Sequence, residues 1–314
     1  MKCIVCGSSI TRVEKLTYKK KKYEICHCEK CDLKFDKHIK KTTQQYYEEL
    51  YHTWNVEGVN IRGLIWGNYT FFELYGAFKK EKRSLVLDIG CADGLFVREA
   101  IKQGYSAYGI DINPELIQEA REFFKVDTVY YGELPVIKKH VKKPFDVITF
   151  FDVLEHLEDP KKYVIDLKKY LTSDGFVFVS IPNRDTHPRF LPLDGDLPPH
   201  HLTWWSRKAL ESLFVSSGYI VKEYRIQGIN PVDMAVWFDQ LITDKLTIVA
   251  RMKSNIQSST LQSENRTTKK TLYRLKHIEL KLLTVFFYIP AKIITLFGGV
   301  GHAHSILVQV KNKR

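Results

Sequence analysis

A doubly wound α/β sheet is predicted for residues 85–226, on three observations. The apolar run Leu85–Ile89 closes on a glycine turn, Gly90-Cys91-Ala92-Asp93-Gly94, and a helical pattern begins at once. A second apolar run, Tyr105 to Ile110, ends in Asp111, roughly 20 residues beyond that turn. From there strand-like and helix-like segments alternate as far as Ile226.

Taken in order, the chain opens with cysteines. Five of its six lie within the first 31 residues: Cys3-x-x-Cys6, Cys26, and Cys28-x-x-Cys31. Two C-x-x-C pairs separated by roughly twenty residues match a four-thiolate zinc site, so Cys3, Cys6, Cys28 and Cys31 are the expected ligands, with Cys26 and His27 left over. Cysteines where a signal peptide would place its apolar core argue against secretion and for the cytoplasm, where disulfides are the lesser explanation. Between the pairs runs Tyr18-Lys19-Lys20-Lys21-Lys22-Tyr23, read either as a solvated hairpin tip or as a basic and aromatic grip on nucleic acid. These residues form a module over 1–36. Residues 37–82 are a helical lid or linker, with helices expected near 42–51 and 68–80. Its Trp54, Trp66, Tyr69 and Phe72 serve either substrate or packing.

The core occupies 83–228. After the first strand, Leu95, Phe96, Val97, Ala100 and Ile101 share one helical face, and Gly104 stops the helix. Asn113-Pro114 opens a second helix with Leu116, Ile117, Ala120 and Phe124 inward. A third strand, Thr128–Tyr131, ends at Gly132-Glu133. The strand Phe145–Phe151 then leads into Asp152-Val153-Leu154-Glu155-His156, at the strand end that faces the ligand crevice in open α/β sheets. Imidazole in general titrates near neutrality, so His156 is read either as a general base or as a turn cap. A helix to Tyr170, a turn at Ser173-Asp174-Gly175, a strand Phe176–Ile181 and a proline-rich flap over 184–199 follow. Ser206 caps a helix carrying Leu210, Leu213 and Phe214, and Tyr219–Ile226 is a further strand.

The turn Asp88-x-Gly90-x-Ala92-x-Gly94 begins with a carboxylate, which repels a pyrophosphate but suits a cationic amino-acid end. It resembles the first motif of class I S-adenosylmethionine (SAM)-dependent methyltransferases, with Ala92 in place of a frequent glycine. Tyr108-Gly109-Ile110-Asp111-Ile112 resembles the second motif, and Val153-Leu154-Glu155-His156 with Asp159-Pro160 a later one. The resemblance implies the seven-stranded Rossmann-like methyltransferase sheet, its last strand antiparallel. It implies SAM contacts from Asp88, Gly90, Gly94, Asp111, Ile112 and Phe151, with Glu133 at the adenine or simply a loop carboxylate. The cysteine-rich start resembles the zinc-ribbon prefix of bacterial methyltransferases that act on small molecules and sugars. Asp152-x-x-Glu155-His156 followed by His201 resembles the divalent-metal site of small-RNA 2′-O-methyltransferases, and ubiquinone-pathway O-methyltransferases carry a similar run. A second metal at Asp152, Glu155, His156 and His201 is therefore implied, or else His201 meets the substrate directly.

Residues 229–303 exceed the minimal fold and are expected to be a helical insertion before a last strand over 304–314. Within it Ile278–Phe297 is apolar but interrupted by Pro290 and Lys292, too broken to span a bilayer. With its flanking lysines it is read either as a hairpin lying on an anionic membrane, peripheral at the inner face, or as a cover over the site. The net charge of +12 favours anionic partners without choosing among them. The leading expectation is an enzyme: SAM-dependent O-methylation of a small-molecule hydroxyl, on a sugar or lipid-linked saccharide precursor, with His156, His201 and Glu155 at the acceptor. An RNA ribose methyltransferase gripping RNA through the ribbon is the alternative, and a non-catalytic SAM-binding scaffold the third reading.

Overall fold

The computed structural model describes residues 1–18, 20–40, 45–46, 85–185, 196–228, 282–283, 285–290, 293 and 301–311. Of the expected lid helices only residues 45–46 are described, and they are helical; Trp54, Trp66, Tyr69 and Phe72, most of the flap, and most of the insertion lie outside the described residues.

Two sheets organise the chain. The N-terminal one contains β1 (Arg12–Tyr18), β2 (Lys21–His27) and β3 (Lys34–Asp36). The large sheet contains β4 (Leu85–Ile89), β5 (Ser106–Asp111), β6 (Val129–Tyr131), β7 (Phe145–Phe151), β8 (Leu171–Pro182), β10 (Tyr219–Gly228) and β11 (Gly301–Val310). Its order is β10-β11-β8-β7-β4-β5-β6. Strands β4 to β8 pair in parallel, while β11 runs antiparallel to both neighbours. This is the seven-stranded Rossmann-like sheet the resemblance implied. The order reverses at β4, so the crevice opens between the ends of β4 and β7, where ligands sit in such sheets.

Local sequence explains most elements. Helix α1 (Leu95–Lys102) buries Phe96, Val97 and Ala100. Ile101, expected on that face, is exposed instead, because the buried stripe of an eight-residue helix is narrower than the apolar pattern suggests. Helix α2 (Pro114–Glu122) is capped by Asn113, whose Oδ1 accepts from the Glu115 and Leu116 amides at 2.9 and 3.2 Å. A short helix α3 (Ile137–His140) precedes β7. Helix α4 (Pro160–Leu167) starts on an Asp159 cap and ends earlier than Tyr170. Helix α5 (Arg207–Ser216) starts on Ser206, whose Oγ accepts from the Ala209 amide.

Three boundaries differ from expectation. The Ser173-Asp174-Gly175 turn is absorbed into β8 as an irregularity: Phe145 pairs with Leu171 but Val147 with Phe176. Ser173 and Asp174 stay exposed there, so the polar residues bulge out rather than break the strand. Strand β11 begins at Gly301 rather than His304 because it pairs along most of β10. A two-residue strand, β9 (Thr203–Trp204), has no counterpart in the sequence pattern. It pairs with β3 and completes the N-terminal sheet in the order β1-β2-β3-β9. Of the apolar 278–297 stretch, residues 282–283, 285–290 and 293 are helical, with Phe287 buried and Val285, Phe286 and Ile289 exposed. Among the described residues no helix is long and apolar enough to cross a membrane.

Candidate active site

The glycine turn is built by backbone geometry. Gly90, Ala92 and Gly94 all have positive φ, at 71°, 47° and 72°. A Cβ on Gly90 would lie 2.5 Å from Val153 Cγ2, and one on Gly94 would crowd Ala120 and Val129. Glycine at these positions thus admits the β7 loop and helix α2. At Gly109 a Cβ would meet Cys91 at 2.7 Å, which seats the turn on β5.

Asp111 organises the crevice. Its Oδ2 accepts from the Ala92 amide at 2.9 Å and its Oδ1 from the Asn113 amide at 2.8 Å. One carboxylate therefore ties the turn to the start of α2. Asp88 is buried under the turn and accepts from Thr149 Oγ1 at 2.7 Å. Burial pushes its carboxyl up to about 8 against that hydrogen bond, and the Asp111 charge adds to the rise. Burial likewise pushes the Cys91 thiol up, leaving it a packing group. Ile112 and Glu133 are both exposed. Phe151 packs edge-on against Phe96 and Phe178, with ring centres at 4.9 and 5.8 Å.

Beside this crevice, the loop after β7 and the loop before β9 bring three imidazoles together. His156 Nδ1 lies 2.6 Å from the His200 carbonyl, which only accepts, so Nδ1 carries the proton and neutral His156 has its lone pair on Nε2. His201 Nδ1 lies 2.8 Å from Asp196 Oδ1, fixing the same tautomer. Both Nε2 atoms come within 3.9 Å of Glu155 Oε1. Glu155 is 1% exposed, and neither carboxylate oxygen has a hydrogen-bond partner among the described residues. Its backbone carbonyl is engaged, accepting from the Leu202 amide and Thr203 Oγ1 at 2.8 and 3.3 Å. Burial pushes the Glu155 carboxyl well up, and the charges of Asp152 and Asp196 act in the same direction. An orphaned buried carboxylate facing two imidazole lone pairs is a donor set that fits a divalent cation. The ring nitrogens of His156, His200 and His201 also lie within 4.8 Å of one another. His200 and Asp196 had no assigned role from sequence; the tandem His200-His201 was the available signal for the former.

At the other end, Cys3, Cys6, Cys28 and Cys31 converge, with Cys3–Cys31 and Cys6–Cys28 sulfurs 3.5 Å apart and all four within 4.8 Å. Tetrahedral zinc with bonds of ~2.3 Å needs sulfurs about 3.8 Å apart, which this cage fits. Cys26 lies outside it, its thiol donating to Met1 Sδ, and His27 donates to Asp32.

Residues 69–223, just under half of the chain, match a family model described as a methyltransferase domain. The sheet order is that of the seven-stranded Rossmann-like methyltransferase fold, and with this match it supports a SAM-dependent methyltransferase. The chain is 30% identical over 113 residues to the mitochondrial ubiquinone biosynthesis O-methyltransferase of Schizosaccharomyces pombe, covering 34% of this chain and 41% of that one. It is 24% identical over 224 residues to the ubiquinone biosynthesis O-methyltransferase of Haemophilus ducreyi, covering 62% of this chain and 89% of the relative. The fold is shared with a chain from the complex between the Haloferax volcanii Trm112 methyltransferase activator and a putative methyltransferase, at TM-score 0.51 and 12% identity. That match covers 87% of this chain and 99% of the other.

Proposed function

We propose that the protein methylates a hydroxyl of a small-molecule acceptor, a sugar or a lipid-linked saccharide precursor, using SAM. The observation that carries this reading is the pair of imidazole Nε2 lone pairs converging on orphaned Glu155, in the loop that packs against Gly90. The two relatives are named O-methyltransferases, which supports oxygen as the methylated atom.

SAM, when bound, supplies a methyl group already activated on a sulfonium. The chain then aligns and deprotonates the acceptor. Asp111 accepts ribose hydroxyls, Glu133 meets the adenine, and Ile112 and Phe151 border it. Gly90 and Gly94 shape the turn, and Asp88 answers the cationic amino-acid end. His156 Nε2 takes the acceptor hydroxyl proton, and His201, oriented by Asp196, holds the hydroxyl in line. Glu155, His156, His200 and His201, with Asp152 nearby, are suited to a divalent cation, which would lower the hydroxyl's pKa. Cys3, Cys6, Cys28 and Cys31 hold structural zinc, and the exposed apolar helix around 285–289 is the candidate contact with an anionic membrane.

The test is a split between binding and transfer. His156→Ala and His201→Ala should bind labelled SAM within about twofold of wild type and lose methyl transfer to a cell-extract acceptor by roughly a hundredfold or more. Asp111→Ala should lose both. Full transfer by the double histidine variant would remove these side chains from the chemistry.

A further inference from the structure

The cysteine module and the acceptor-side histidines are joined through one residue. Asp32 follows Cys31 directly and has φ of 64°. Its carbonyl accepts from Arg184 Nη1 at 2.6 Å and from Ser206 Oγ at 3.3 Å. Its carboxylate accepts from Arg184 Nη2 at 2.7 Å and from His27 Nε2 at 2.8 Å. Arg184 lies just past the end of β8 and lines the same small cleft as Glu155, Asp196 and His201. Ser206 is the cap of α5.

The backbone follows the same route. Strand β3, immediately after the second cysteine pair, pairs with β9: Lys34 opposite Trp204 and Phe35 opposite Thr203. The Asp36 amide donates to the Leu202 carbonyl at 2.9 Å, and the Leu202 amide donates to the Glu155 carbonyl at 2.8 Å. On its other side the segment bridges back to the core, Trp205 pairing with Asn183. Residues 202–205 are thus a splint between the cysteine module and the Glu155 loop. Val5, Leu33 and Phe35 also share one buried cluster with Leu154 and Trp205.

We infer that Asp32 and Arg184 are positioning residues that make the cysteine module part of the acceptor site, so that occupancy of the four-cysteine cage sets the placement of His200 and His201. Two residues of β9 pairing cannot hold themselves: so short a ladder is stable only when both sides are fixed. One side is fixed by the core. The other is fixed by β3, whose approach depends on the turn that Cys28 and Cys31 form. Opening the cage frees Asp32, releases Arg184 into the cleft and loosens the segment carrying the histidines. The SAM crevice rests chiefly on β4, β5 and α2 and meets the splinted loop only where Val153 packs on Gly90, so cofactor binding is largely insulated from the change. The inference rests on zinc in the cage, and its test separates the two.

Full-length protein is assayed for zinc by thiol-reagent release, and hydrogen–deuterium exchange is followed in peptides spanning 200–206 and 85–91. Exchange is compared in the purified protein, after metal extraction, and in Arg184→Gln. Expected are about one zinc per chain and exchange at 202–205 at least about tenfold faster after extraction. Arg184→Gln should keep its zinc and speed exchange there several-fold, with Arg184→Lys restoring most of the protection. SAM affinity and exchange in 85–91 should stay within about twofold throughout. Unchanged exchange at 202–205 after complete zinc removal overturns the coupling. Protein without zinc as purified removes the metal reading alone, and Arg184→Gln then decides: unaltered exchange overturns the positioning role, and faster exchange at 202–205 upholds it.

Discussion

Replacing Glu155 with Gln should stabilise the protein increasingly as pH rises. Glu155 is 1% exposed with both oxygens unpartnered among the described residues, and burial, then Asp152 and Asp196, push its carboxyl well above the ordinary 4.5. The folded state therefore keeps a proton that the unfolded chain releases above pH ~4.5. Stability is then lost as pH rises, at about 1.4 kcal/mol per unit until the folded pKa is reached. Between pH ~4.5 and ~7 the accumulated penalty is at most about 3.5 kcal/mol, a large share of a typical stability of roughly 5–15 kcal/mol. Gln has the same shape and cannot ionise, so its variant lacks this slope. Urea unfolding of both proteins at about pH 5, 6 and 7, without added divalent cations, gives the difference directly. It should be small near pH ~5 and reach roughly 2–3 kcal/mol in favour of Glu155→Gln near pH ~7. A difference independent of pH, or a variant destabilised at neutral pH, would refute the claim that Glu155 is buried without a counter-charge. A divalent cation at the three histidines should shrink the gap by stabilising the wild type, with its carboxylate charge, more than the variant.

Further outcomes follow from the same geometry. Gly90→Ala must accept a φ of 71° and a 2.5 Å approach to Val153. It should lose about 2–4 kcal/mol of stability and most SAM binding, read by thermal shift with and without cofactor. Asp88 is protonated below about pH 8 in the free protein, so a cation bound beside it displaces the proton. SAM affinity should therefore climb between about pH 6 and 8, at most about tenfold per unit, and level off above; calorimetry in buffers of different ionisation enthalpy should show proton release. Cys31→Ser removes one of four thiolates and should drop zinc from about one per chain to well below half after dialysis.

Much of the core was legible because its signals are local. The run from Leu85 to Gly94, the Asn113 cap and the Ser206 cap each announce themselves within a few residues, and the four cysteines are fixed by spacing. The site was half legible. His156, Glu155 and His201 stand out by type, but Glu155's lack of partners among the described residues follows from packing that no pattern encodes. His200 supplies a backbone carbonyl to His156 and a ring to the cluster, roles that depend on a loop 44 residues away. Strand β9 is two residues long, too short for any period to register, and it exists only because β3 and Asn183 flank it. The Asp32–Arg184 contact spans 152 residues and was invisible for the same reason. Glycine turns at Gly90 and Gly94 were readable, but their tight neighbours, Val153 and Ala120, are set by packing.

The most direct measurement follows the methyl group itself. Purified protein and methyl-labelled SAM are incubated with a cell extract, and RNA, nucleotide-sugar, lipid and protein fractions are separated and counted. Label bound through oxygen in a sugar or lipid fraction, absent with Asp111→Ala and with the His156→Ala/His201→Ala double variant, is the expected result. Label confined to RNA or protein would contradict a small-molecule acceptor and make the basic cysteine module a macromolecular grip.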